Sequence, residues 1–123
     1  MPDDVELLRR VYALFNSREI VSVLAAMHPD VVWANGMEGG HVHGRDEVRS
    51  YWNRQWAVID PHVDPVEISS NNKGKVVVKV HQVVHDRDGN LLANRIVLHV
   101  FEVRNGLIQR FDIGDELGSE KRG

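Results

Sequence analysis

Four runs rich in valine and isoleucine fill the second half of the chain: VEISS, KVVVKVHQVVH, LLANRIVLHVFEV and LIQRFDIGD. They are separated by NNKG, DRDGN and RNG. Asn105-Gly106 is the strongest short hairpin signal a sequence can carry, because both residues tolerate the positive φ that a tight turn needs, and Asp88-Gly89 is nearly as strong. Connections this short cannot cross over a sheet, so consecutive runs must pair antiparallel. The chain is therefore committed to a long antiparallel meander, and whatever precedes it must cover one of its faces.

Two-residue turns set the expected register. Around Asn105-Gly106, Arg104 pairs with Leu107, and counting back puts His99 opposite Asp112 and Phe101 opposite Arg110. Around Asp88-Gly89, Gln82 opposes Arg95 and Val80 opposes Val97. One face then carries Val76, Val78, Val80, Gln82, Val84, Arg95, Val97, His99, Phe101, Arg110 and Asp112. The other carries Lys79, His81, Ile96, Leu98, Val100, Phe111 and Ile113. The first face is an apolar wall with a few convergent polar groups, the usual make-up of a small-molecule site. A His–Asp or Arg–Asp pair on a sheet is also an ordinary structural pair, and one bulge in either hairpin would flip a whole strand.

The first half has helical spacing. Val5, Leu8, Val11, Tyr12 and Phe15 form one stripe, with Asp3 as N-cap and Glu6 three residues on. A second helix is expected from about Ser17 to Met27, ended by His28-Pro29. DVVWAN reads as a short strand on which Val31, Trp33 and Asn35 share a face. Val48, Trp52 and Trp56 recur every four residues on a third helix, with Asp46 and Glu47 in its first turn, where the helix dipole favours negative charge. Helices followed by an antiparallel sheet make an α+β domain. The 123 residues fit one domain over positions 1–123, with 116–123 expected as a disordered tail. A net charge of −3 without a basic block gives no nucleic-acid footprint. There is no cysteine, hence no thiol nucleophile or iron–sulfur cluster. No apolar run is long enough to span a membrane, and the charged start MPDDVELLRR makes a cytoplasmic location the expectation.

The element order, together with MHPDVVW, GRDEVRSYW and VFEVRNGLIQRFDIGD, resembles the nuclear-transport-factor-2-like superfamily, and within it SnoaL-like proteins, over roughly residues 4–116. The resemblance implies a cystatin-like cone: a curved antiparallel sheet around a pocket, closed by the helices, and commonly a homodimer. Three enzyme patterns of the superfamily test differently. The general-base Asp of ketosteroid isomerases falls at Asn35, which cannot take a proton, and their helix-one tyrosine falls at about Val11, beside Tyr12. The Arg-x-Asp of limonene-epoxide-hydrolase-like proteins finds Arg95 but meets Val97 in the Asp slot. The last-strand Asp and neighbouring His of SnoaL-like polyketide cyclases match Asp112 and His99.

The segment HVHGRDE offers His41, His43 and Glu47 at a spacing seen in metal sites of small barrels. No later histidine motif completes such a site, so no metal and no cofactor is expected, and the two histidines are placed in the loop before helix three, near the pocket mouth. Three functions remain open. The first is acid/base catalysis of isomerase, cyclase or hydratase type on a small apolar molecule, with Asp112, His99 and Arg95 as the catalytic set. Asn35, Trp33, Trp52, Trp56, Gln82, Val97, Phe101 and Arg110 would then contact the ligand. The second is a non-catalytic binding module, and the third a dimerisation module. Leu98, Val100, Phe111 and Ile113 are the expected dimer patch on the outer face.

Overall fold

The computed structural model describes residues 3–36, 38–70 and 74–114. The expected tail and most of the NNKG turn lie outside these residues. Among the described residues three helices, α1 (Asp3–Asn16), α2 (Ile20–Ala25) and α3 (Gly44–Val58), accompany six strands: β1 (Met27–Ala34), β2 (His41–His43), β3 (Ile59–Ser70), β4 (Lys75–Asp86), β5 (Leu91–Arg104) and β6 (Leu107–Gly114). The strands form one curved, open sheet in the order β2-β1-β6-β5-β4-β3. Every neighbour pair is antiparallel except β1 with β6. Among the described residues no helix is long and apolar enough to cross a membrane.

α1 buries the expected stripe of Leu8, Val11 and Tyr12. It ends in a Schellman arrangement: the N–H of Glu19 donates to the Leu14 carbonyl and that of Arg18 to Phe15, with Arg18 in the left-handed region at φ 62°. That break delays α2 to Ile20, and the chain is already extended at Met27, which pairs with Ile108. The second helix is therefore shorter than its apolar pattern suggests. The Asn16 side chain donates to the Val63 carbonyl (2.8 Å) and accepts from the Val63 N–H (3.0 Å), fixing the end of α1 to β3.

β3 runs twelve residues, well beyond VEISS. Pro61 and Pro65 hide it from a strand reading. They are tolerated because β3 is an edge strand, where a missing N–H costs no ladder bond on the open side. His41 and His43, expected in a loop, form the short edge strand β2, with His41 across from Ala34 and His43 across from Val32.

The β4–β5 register is the expected one, with Gln82 opposite Arg95 and Val80 opposite Val97. The turn itself is longer than two residues. Asp86 accepts from the N–H groups of Asp88, Gly89 and Asn90, and a register shift after Val84 restores the count. The β5–β6 register departs from expectation. Arg104 pairs with Leu107 and Val103 with Ile108, but Glu102 then faces Arg110, so Gln109 is an extra residue. Beyond it Phe101 faces Phe111, His99 faces Ile113, and Asp112 faces Val100.

This overturns the His99–Asp112 pair and exchanges the two faces of β6. Strict alternation would have buried Ile108 together with Arg110 and Asp112 while exposing Phe111 and Ile113. With the bulge, Ile108 (0% exposed) and Phe111 (5%) are buried, Ile113 turns toward the cavity, and both charges leave it. Desolvating an Arg and an Asp is far costlier than one interrupted ladder, so the bulged register wins.

Candidate functional site

The concave face of the sheet, α1 and α3 enclose a cavity of about 440 Å³, within the range of small-molecule sites. Alternate residues of β4 and β5 supply one wall, including Gln82, Val84, Arg95, Val97, His99 and Phe101. α1 adds Val11, Tyr12 and Phe15, and α3 adds Tyr51, Trp52 and Gln55. Trp33 of β1 and Phe111 of β6, paired in register, stack with centroids 4.2 Å apart, and Trp52 meets Trp33 edge-on at 5.4 Å. These rings form a flat-sided aromatic wall, suited to offset stacking or edge contacts with a planar ligand. A second depression, of about 660 Å³, is open and runs between exposed charged side chains of α1 and Gly106.

The buried polar feature of the cavity is a pair. The Tyr12 hydroxyl lies 2.7 Å from His99 Nδ1, and the two residues are 4% and 8% exposed. Burial lowers the His99 pKa from 6.5 to about 3 and raises that of Tyr12 well above 10. Both are neutral at pH 7. The phenol is the stronger acid and the imidazole the stronger base, so Tyr12 donates and Nδ1 accepts. The ring proton then sits on Nε2, which has no partner among the described residues. What His99 offers a guest, it offers there.

Two further polar groups stand elsewhere on the wall. Gln82 and Arg95 are cross-strand neighbours, with Arg95 exposed. The Tyr51 hydroxyl accepts from the Gly36 N–H and from Gln55 Nε2, each at 3.1 Å. Gly36 lies at the cavity edge, where an added Cβ would come within 3.1 Å of Ile113 Cδ1. Among the described lining residues there is no carboxylate.

The structure brings Trp33, Trp52, Gln82, Arg95, Val97, His99 and Phe101 to the cavity and leaves four other expected residues outside it. Asp112 is on the outer face, bound by Arg110 Nε (2.7 Å) and His41 Nε2 (2.8 Å). The hydrogen bond from Arg110, reinforced by His41, holds its carboxyl below the usual range. Arg110 is there with it. Asn35 is buried in a turn, its side chain bonded to the Glu38 carboxylate and backbone, and Arg54 holds Glu38 from α3. Trp56 packs on Trp52 and Phe15 with the Arg18 guanidinium over its ring. Tyr12, Phe15, Tyr51, Gln55, Phe111 and Ile113 line the cavity without having been expected there as ligand contacts. Tyr12 and Phe15 were legible as a buried stripe. Their facing a cavity follows only from where α1 sits.

The histidines of HVH do not converge on Glu47. Glu47 accepts from the His43 backbone N–H at 2.7 Å and so caps α3, while His41 turns to Asp112. Among the described residues no group of three His, Asp or Glu side chains is placed to hold a metal ion.

Comparison with known proteins agrees with this architecture. The family model described as a SnoaL-like domain matches residues 8–111. A nuclear-transport-factor-2-like protein from Burkholderia pseudomallei is 28% identical, with 94% of this chain and 92% of that one covered and a TM-score of 0.83. TerC, crystallised with polyporic acid, is 26% identical over 91% and 90%, TM-score 0.80. A Mycobacterium tuberculosis protein in complex with estradiol-17β-hemisuccinate shares the fold at 15% identity over 92% of this chain and 93% of that one, TM-score 0.79. No curated protein matches the sequence.

Proposed function

The chain belongs to the SnoaL-like domain family, and from that premise we propose that it binds a small, largely apolar organic molecule in its aromatic cavity. The observation that carries this reading is the Tyr12–His99 pair set in the wall of a cavity that is otherwise mostly apolar. A neutral imidazole whose Nδ1 is occupied is an N–H donor held in place, and it suits a carbonyl or hydroxyl oxygen on the guest. The likeness to TerC, co-crystallised with polyporic acid, and to the estradiol-hemisuccinate complex supports a polycyclic or multi-ring guest of this kind.

The Asp112–His99 acid/base pair is not carried forward, since Asp112 has left the cavity and no carboxylate lines it among the described residues. A carbonyl bonded to His99 would be polarised, but the described lining residues provide no carboxylate base beside it. Binding is therefore the reading the geometry favours over isomerisation or cyclisation. We also infer a homodimer. Its patch differs from the one the sequence suggests: Phe111 and Ile113 line the cavity, and Val77 and Ile96 join Leu98 and Val100 on the outer face.

The test uses N-phenyl-1-naphthylamine, a neutral probe that fluoresces in apolar surroundings, with estradiol as competitor. Saturable one-to-one binding is expected, with displacement by estradiol. The double change Tyr12→Phe, His99→Phe should weaken estradiol about tenfold by removing one buried hydrogen bond. Absence of saturable binding by either compound overturns the proposal.

A further inference from the structure

Resting on that reading, we propose that the guest is an elongated aromatic acid: an oxygen at its inner end meets His99, and an anionic group at its outer end meets Arg95 beside Gln82. Arg95, Val97 and His99 are alternate residues of β5 and line the same cavity wall. At about 3.3 Å per residue the two polar stations lie roughly 13 Å apart along the strand. His99 is 8% exposed and marks the inner station. Arg95 is exposed and marks the mouth, where the lining residue Leu92 is 56% exposed.

Between the stations β5 presents Val97, and the rings of Phe101, Phe111 and Trp33 lie in register just beyond His99 at the inner end, surfaces for flat rings and not for charge. The charge pattern selects the sign of the outer group. Among the described lining residues Arg95 is the one formal cation, His99 is held neutral, and no carboxylate is present to receive a cationic guest. A guanidinium offers a planar fork that matches a carboxylate, and Gln82, directly across the ladder, adds an amide donor to the same spot.

Three probes separate the terms: 4′-hydroxybiphenyl-4-carboxylate, its methyl ester, and biphenyl-4-carboxylate, each titrated while the tryptophan emission is followed. The acid should bind the wild type about fivefold more tightly than its ester, the size expected for an ion pair at a solvent-accessible mouth. That preference should shrink as salt is added. In Arg95→Gln the acid-to-ester ratio should fall to about one, and Arg95→Lys should retain part of the preference. Loss of the hydroxyl should weaken binding equally in the wild type and in Arg95→Gln. If acid and ester bind wild type equally, or if the preference survives Arg95→Gln, the anionic end is wrong while the binding function stands. If none of the three binds, this inference falls, and it falls together with the proposed function only if the neutral naphthylamine probe also fails.

Discussion

His99 shows how one side chain links burial to pH. Its folded pKa is lowered by burial to about 3 from 6.5. Between those values the unfolded chain binds a proton that the folded chain does not. The stability that His99 contributes is therefore fully present above about pH 6.5 and is lost as pH falls toward 3. At about 1.4 kcal/mol per pH unit, roughly 2 kcal/mol should be gone by pH 5, or on the order of 8 °C in Tm. Thermal melts at pH 7 and 5 should show a larger drop for wild type than for His99→Asn, which keeps an acceptor for Tyr12 without the titration. Equal drops would show that His99 titrates normally. Tyr12→Phe should cost about 1–3 kcal/mol in a urea melt, because it strands Nδ1 in the interior.

The bulge in β6 decides what the molecule offers a ligand. Ile108, Phe111 and Ile113 cannot share a face in an unbroken strand, since the first two are an odd number of residues apart. One extra residue reconciles them. Deleting Gln109 should leave Ile108, Phe111 and Ile113 alternating inward in an unbroken strand, with Arg110 and Asp112 still outward. We expect that deletion to cost no more than about 1 kcal/mol. Inserting one alanine after Phe111 turns Asp112 inward and Ile113 outward, and should cost about 2 kcal/mol or more. Urea midpoints for the two variants check this, and a larger loss for the deletion than for the insertion would mean that strand alternation is not what sorts the faces. The sequence held the signal: two polar residues, Gln109-Arg110, stand together between apolar positions. Two-residue turn geometry pointed the other way, and local turn chemistry cannot weigh the burial that follows several residues later.

The curved sheet uses its two faces differently. The inner face meets α1 and α3 around the cavity. The outer face of β4 and β5 keeps Val77 and Ile96 each 38% exposed beside Leu98 and Val100, with the ion pairs Lys75–Glu102 and Lys79–Glu67 at its margins. An apolar centre with a charged rim is the anatomy of an interface core. Analytical ultracentrifugation at micromolar concentration should give twice the monomer mass for wild type and the monomer mass for Leu98→Lys, with ligand binding retained. A monomeric wild type refutes the pairing.

Much of this protein was legible before any coordinates. The α+β order, the helix stripes, the meander and the Gln82–Arg95 register follow from short-range rules: side-chain period, turn chemistry and the exclusion of charge from apolar faces. Those rules act over a few residues, so a linear reading captures them. The placement of Asp112, the length of β3 and the partnership of Tyr12 with His99 do not follow from such rules. The first depends on which of two registers buries more apolar surface without desolvating charge, a comparison made across the whole sheet. The second depends on β3 lying at an edge, where proline is harmless. The third joins residues 87 positions apart, brought together where α1 packs on the sheet with its end tied to Val63 by Asn16. Contacts of that separation are products of packing, and it is packing that turned a stripe on a helix into one side of a cavity.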